Sequence, residues 1–117
     1  MINFEQIRML LSLAGFDNFD VHYSNLTYTF TGTYCYSNKF HYEIRIEEFL
    51  CPKEFSNFFY LSLIKNNEPI LNNIYGKETE IFKLLKNALQ IVVDEIKRDR
   101  PKFKGKQIKG DIKGENN

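Results

Sequence analysis

Residues 27–36 read TYTFTGTYCY and residues 40–46 read FHYEIRI, two runs in which large apolar residues mostly alternate with polar ones. A period of two is the pattern of a β-strand with one buried face, and threonine and tyrosine are strong strand formers. The short polar interval between the runs is a turn signal. The two runs therefore predict a β-hairpin with one aromatic face and one polar face.

The pairing register of this hairpin follows from keeping its two faces unmixed. A three-residue loop at 37–39 places Tyr34 opposite Tyr42 and keeps Phe30 on the apolar face. A two-residue loop would oppose Phe30 to Arg45, which is costly wherever one face is buried. We therefore predict the three-residue loop.

The polar face of the hairpin is the surface that we expect to meet water. A water-facing sheet surface on a small domain is available to a partner, so its side chains are candidate contacts. They are Thr29, Thr31, Thr33, His41, Glu43 and Arg45.

A helix signal precedes the hairpin. Asn3 can cap the first turn, and Gln6 three residues later completes the spacing of a capping box. Gly15 supplies a residue that can end the helix in the left-handed conformation. These signals predict a helix over 4–14.

A further strand and turn follow the hairpin. Residues 58–65 are apolar on both parities, as expected of a strand covered on both sides. Residues 66–67 are two asparagines, a turn signal, and residues 68–71 suit a short edge strand because Pro69 fits only an edge.

A second helix is predicted over 78–98 from a stripe of apolar residues at helical spacing. The stripe consists of Ile81, Leu84, Leu85, Ala88, Val92 and Ile96. The chain is therefore expected to form one α+β domain, residues 1–98, with a helix, a three- or four-stranded antiparallel sheet and a long helix packed on one sheet face. Residues 99–117 lack a core-forming pattern and are predicted to be a basic, flexible tail.

Charge is distributed unevenly along the 117 residues, although the formal net charge is only +1. Residues 1–96 hold 8 basic and 12 acidic residues, whereas residues 97–117 hold 8 basic and 3 acidic residues. Such an asymmetry indicates either a solubilising tail or a nucleic-acid-binding one. For the second case the expected phosphate contacts are Arg98, Arg100, Lys102, Lys104, Lys106 and Lys109.

Five residues of this segment, 98–102, read RDRPK. They resemble an AT-hook, the short peptide with an Arg-Gly-Arg-Pro core that binds the DNA minor groove. The resemblance implies that Arg98 and Arg100 enter a narrow A·T groove, where the negative potential is strongest. Asp99 stands where the motif has glycine.

Residues with chemical reactivity are few and scattered. Cysteines and histidines at 22, 35, 41 and 51 lack the close pairs of a zinc site, so we expect no metal and no cofactor. Cys35 should lie beside His41, but a thiol nucleophile also needs oxyanion donors and a pocket that no motif supplies. The adjacent acids at 47–48 and 94–95 are interpreted as solvated surface charge. We expect no catalytic residues and no enzyme.

The function expected from these observations is that of a small, non-enzymatic protein-interaction module of the inhibitor, immunity or adaptor type. Its partner would be a protein. The alternative is a nucleic-acid-associated protein that binds duplex through its basic C-terminal tail. Neither an export signal nor a membrane span is evident, so we expect a cytoplasmic protein with reduced thiols.

Overall fold

The computed structural model describes residues 2–50 and 57–104, the last five of them by backbone alone. This described part has one helix, five strands and a second helix. In chain order the elements are α1 (Phe4–Leu13), β1 (Asp17–Tyr23), β2 (Thr27–Ser37), β3 (Phe40–Phe49), β4 (Phe58–Lys65), β5 (Glu68–Lys77), a 3-10 turn (Glu78–Glu80) and α2 (Ile81–Lys104).

The sheet is an antiparallel meander in the order β1-β2-β3-β4-β5, and the α+β class is as predicted. The expected count of three or four strands was wrong, because β1 is a strand of its own. The Ser24 backbone N–H donates to the Thr27 carbonyl at 2.9 Å, and the Ser24 hydroxyl accepts from the Thr27 N–H at 3.0 Å. This turn reverses the chain between β1 and β2.

The last strand, β5, is ten residues long rather than the predicted four. Its alternation is interrupted by irregularities opposite Leu61, Leu63 and Ile64. Asn73 adopts a left-handed φ of 52°, and its N–H donates to the Ser62 hydroxyl at 3.0 Å. Bulges of this kind break a period of two, so the strand pattern in the sequence stopped too early.

The register of the central hairpin is confirmed, with Tyr34 opposite Tyr42 and Phe30 opposite Ile46. Its loop differs from the prediction. Ser37 pairs with Phe40, so the turn has two residues, and a bulge next to Ser37 restores the face-matched register. A bulge thus achieves what the three-residue loop was expected to do.

One hydrophobic core lies between the sheet and the two helices, which share one sheet face. The predicted stripe of α2 is confirmed, with Leu84 half-buried and its other five members buried. Buried Ile7 and Leu11 anchor α1 on the same core. Gly32 of β2 is needed at this interface, because a Cβ there would lie 2.8 Å from the Phe19 ring.

The helix α2 continues to Lys104, past the predicted end at residue 98 and through Pro101. The first six residues of the predicted tail, 99–104, are therefore helical. Residues 105–117 lie outside the described residues, so the flexibility expected of that part stays a prediction.

Candidate interaction surface

The sheet face opposite the helices, here called the outer face, carries all six predicted contact residues. Cross-strand pairing places Thr29 opposite Glu47, Thr31 opposite Arg45, and Thr33 opposite Glu43, while His41 lies opposite Cys35. Directly opposite residues of an antiparallel pair share a face. The three threonines and Glu43 are half-buried, and His41 and Arg45 are exposed.

The charges in the middle of the outer face partly cancel. Arg45 donates from Nε and Nη2 to Glu43 Oε2, at 3.2 and 3.0 Å. Exposed ion pairs of this kind contribute less than about 1 kcal/mol, so the pair sets the local charge more than the stability. Glu47, two residues further along β3, adds a negative charge.

An aromatic cluster, defined as Phe49, Phe58, Tyr60 and Tyr75, occupies one end of the outer face. The Phe49 and Tyr60 rings meet edge to face, with centroids 4.9 Å apart. Tyr75 stacks on Phe58 at 5.2 Å and lies 5.7 Å from Tyr60. The cluster spans β3, β4 and β5, and offset-stacked and edge-to-face rings are the favoured arrangements of aromatic pairs.

The aromatic cluster corrects the expectation that β4 is covered on both sides. Among residues 2–50 and 57–104, both helices pack on the core face and neither covers the outer one. Tyr75 is 49% exposed, and its neighbours Phe49 and Tyr60 are only half-buried. Sequence reasoning missed this cluster, although its four members all have outward parity.

An open groove of about 410 Å³ lies beside the aromatic cluster on the outer face. Glu43, Arg45 and Glu47 line one side, and the asparagines of β5 line the other. At its base, the Ser62 hydroxyl lies 3.2 Å from Asn73 Oδ1. The groove is therefore polar, in contrast to the adjoining rings.

The predicted neighbours Cys35 and His41 are brought together by the sheet register. The Cys35 thiol is free and exposed, and its Sγ lies 3.7 Å from the Ser37 carbonyl oxygen. A small depression of about 50 Å³ includes His41 and Glu43 but not Cys35. In the described part of the chain, no group of three His, Cys, Asp or Glu residues could hold a metal ion. Cys51 lies outside that part.

Glu48 corrects the interpretation of residues 47–48 as solvated charge. Glu48 has the same parity as the buried apolar residues of β3 and is 1% exposed. Its Oε2 accepts from the Ile2 N–H at 3.1 Å, and among the described residues its Oε1 has no hydrogen-bond partner. Burial raises the pKa of the Glu48 carboxyl, and the Ile2 hydrogen bond opposes this rise.

Glu95 corrects the same interpretation of residues 94–95. Tyr42 donates its hydroxyl hydrogen to Glu95 Oε1 at 2.6 Å, and Lys65 Nζ lies 3.3 Å from the same oxygen. Burial, followed by this hydrogen bond, raises the pKa of the Tyr42 hydroxyl. Glu95 therefore ties α2 to β3 and β4, while Asp94 is exposed.

The predicted phosphate contacts lie at the end of α2 and beyond it. Arg98 is exposed on the helix, and Arg100, Lys102 and Lys104 follow on its helical backbone. Lys106 and Lys109 lie outside the described residues. All five residues of the AT-hook-like segment are thus helical, whereas minor-groove insertion of an Arg-x-Arg unit requires an extended peptide.

The chain was compared with protein families, curated proteins and solved structures. No protein-family model, no curated protein and no solved structure matches the chain. Within residues 2–50 and 57–104, neither helix is long and apolar enough to cross a membrane.

Proposed function

We propose that the chain is a small, non-enzymatic protein-interaction module that binds its partner through the aromatic cluster of the outer face. The observation that carries this proposal is a group of four packed rings on a sheet face without a helix over it in the described residues, with Tyr75 half-exposed. Tyrosine and phenylalanine are enriched at protein interfaces and tyrosine at binding hot spots, because a rigid ring loses little entropy on contact.

The chemistry around the aromatic cluster favours a partner surface with both apolar and basic side chains. Glu47 lies directly opposite Tyr60 across β3 and β4. A lysine or arginine of the partner placed over the Tyr60 ring would gain a cation–π contact and a carboxylate within reach. The inhibitor, immunity and adaptor types all fit a domain that acts by such contacts.

The experiment is an affinity capture from the native host with three forms of the full chain: wild type, Tyr75→Ser and Tyr36→Ser. Tyr36 is an exposed tyrosine near the turn between β2 and β3 and outside the aromatic cluster, so it controls for the loss of any surface ring. Each capture is run with and without nuclease. Circular dichroism confirms that the variants are folded.

The proposal expects one protein to be captured by wild type and by Tyr36→Ser, to survive nuclease, and to be lost with Tyr75→Ser. Removal of a central interface tyrosine commonly costs about 2 kcal/mol or more, which is a loss of about 30-fold in affinity. Equal capture by Tyr75→Ser and wild type would exclude the aromatic cluster as the binding site.

A second candidate is association with nucleic acid through the end of α2. It is supported by five basic residues among the eight at 97–104. Four to five phosphate contacts would give a log–log dependence of affinity on salt with a slope of roughly −4 on duplex DNA. A titration of duplex DNA with wild type and with an Arg98→Gln, Arg100→Gln variant tests it. Binding that is absent at moderate salt, or unchanged in the variant, argues against this candidate.

A further inference from the structure

The two edges of the sheet, β1 and β5, differ in how they are protected. Asn66 and Asn67, both with positive φ, form a two-residue turn that pairs Lys65 with Glu68. Backbone groups alternate in direction along a strand, so those of the next residue, Pro69, face the open edge. Proline has no N–H, so this position cannot donate a hydrogen bond to an added strand. The bulges of β5 add to this protection, because irregular edges resist strand addition.

The β1 edge lacks a proline. Its one irregularity lies between Asp17 and Asp20, so residues 20–23 present regular backbone. Because the Ser24 N–H bonds to the Thr27 carbonyl, alternation directs the backbone groups of Val21 and Tyr23 away from β2. An independent contact agrees with this assignment. The Val21 N–H donates at 3.0 Å to Oδ1 of the preceding residue, Asp20, and not to the neighbouring strand.

The side chains along this edge separate into two kinds. Val21 lies opposite Phe30 on the helix face, yet it is 40% exposed, and Tyr23 is 70% exposed. Asp20 and His22 lie on the outer face, where they share a shallow depression with threonines of β2. An apolar row and a pair of complementary polar groups thus lie next to backbone that no other described strand pairs with.

We propose that a second copy of the chain adds to this edge as an antiparallel strand, with Val21 opposite the partner's Val21. Twofold symmetry then fixes the other pairs. Asp20 lies opposite the partner's His22, whose imidazole N–H can donate to the carboxylate. Tyr23 extends toward the partner's Phe19, which lies in the irregular part of β1. Apolar residues meet apolar residues on the helix face, and each aspartate meets a histidine on the outer face.

Other registers of the same edge are less favourable. A twofold axis at Asp20 would oppose two carboxylates directly. An axis at His22 would leave Asp20 opposite the partner's Ser24, without a cationic group. An axis between two residues would oppose Val21 to the partner's His22 or Asp20 and mix the two faces. Among these registers, only the Val21-centred one places apolar residues opposite apolar residues and each aspartate opposite a histidine.

Pairing also replaces the local contact at the edge. The Val21 N–H exchanges the Asp20 carboxylate for the carbonyl of the partner's Val21, and Asp20 becomes free to accept from the partner's His22. The product is a ten-stranded sheet with two aromatic clusters on one continuous outer face. One short strand from each copy makes a small interface, which places the dimer in the weak, transient class.

Sedimentation velocity of the full chain, from about 10 µM to about 1 mM, tests the dimer over the range where small interfaces associate. The weight-average mass should rise from 13.9 kDa toward twice that value. Asp20→Lys should weaken the dimer about tenfold, because both symmetric pairs lose the carboxylate that accepts from His22. His22→Asp should weaken it by a similar factor, because both pairs then oppose two carboxylates. The double variant, Asp20→Lys with His22→Asp, should recover most of that loss.

Three further variants complete the test. Val21→Pro removes an outward N–H and should give a monomer, and Tyr23→Lys should do the same if the proline variant fails to fold. Ile70→Lys, on the β5 edge, should dimerise as wild type does. A wild type that stays monomeric at the highest concentration overturns the proposal. So does a double variant no better than the single ones, or an Ile70→Lys variant that loses the dimer.

Discussion

Truncation of Leu85 to alanine measures how much the packing of α2 on the sheet contributes to stability. Leu85 is fully buried in the middle of the stripe that meets the core face. The change removes three carbon groups, which at about 0.8 kcal/mol each amount to about 2.4 kcal/mol of lost burial. The cavity left behind raises the expected loss in unfolding free energy to between about 2.4 and 5 kcal/mol.

Urea unfolding followed by circular dichroism and tyrosine fluorescence is the suitable assay, since the chain has no tryptophan. With a slope of about 1.2 kcal/mol/M, the midpoint should fall by at least about 2 M. The matched control is Phe82→Ala on the exposed side of the same helix, which should cost less than about 1 kcal/mol. A Leu85→Ala midpoint within error of wild type would refute the packing of α2 described above.

Three other predictions concern a buried carboxyl group, a buried hydrogen bond and metal binding. The folded state binds the Glu48 proton more tightly than the unfolded state, because burial raises the pKa of this carboxyl. Wild type should therefore lose unfolding free energy relative to Glu48→Gln as pH rises from about 4 to 7. An equal dependence of unfolding free energy on pH in the two proteins would contradict this. Tyr42→Phe should cost about 1.5–3 kcal/mol in chemical unfolding, since Glu95 loses a hydrogen bond, and a neutral effect would discount that contact. Elemental analysis should find no stoichiometric zinc, and one zinc per chain that disappears with Cys35→Ser would overturn the expectation of no metal site.

The central hairpin could be predicted from the sequence because the middle of one face, from Phe30 and Gly32 to Tyr42, Ile44 and Ile46, is buried. A one-residue slip would have exposed Phe30 and buried Arg45, so only one register satisfied the pattern. The stripe of α2 was equally clear, because five of its six members are buried at helical spacing. Where one side of a strand or helix is buried, the spacing of its apolar residues is enough to predict the element and the face that it buries.

The features that escaped prediction have local causes. Asn73 bulges out of β5 in a left-handed conformation that depends on the Ser62 hydroxyl, a contact between residues eleven apart. Glu48 was assigned to the surface by residue type, although its parity placed it in the core. The aromatic cluster could be predicted only if Tyr75 was known to lie in β5. The predicted edge strand ended at residue 71, so the position of Tyr75 opposite Tyr60 was not foreseen.

The binding role of the aromatic cluster is tested most directly by observing its tyrosines as the partner binds. The seven tyrosines can be labelled with carbon-13 in the ring and followed by NMR while the captured partner is titrated in. We expect the largest shifts at Tyr60 and Tyr75, with Tyr34 on the helix face and Tyr36 near the turn unchanged. Shifts confined to Tyr34 and Tyr36, with Tyr60 and Tyr75 unmoved by a saturating partner, would contradict it.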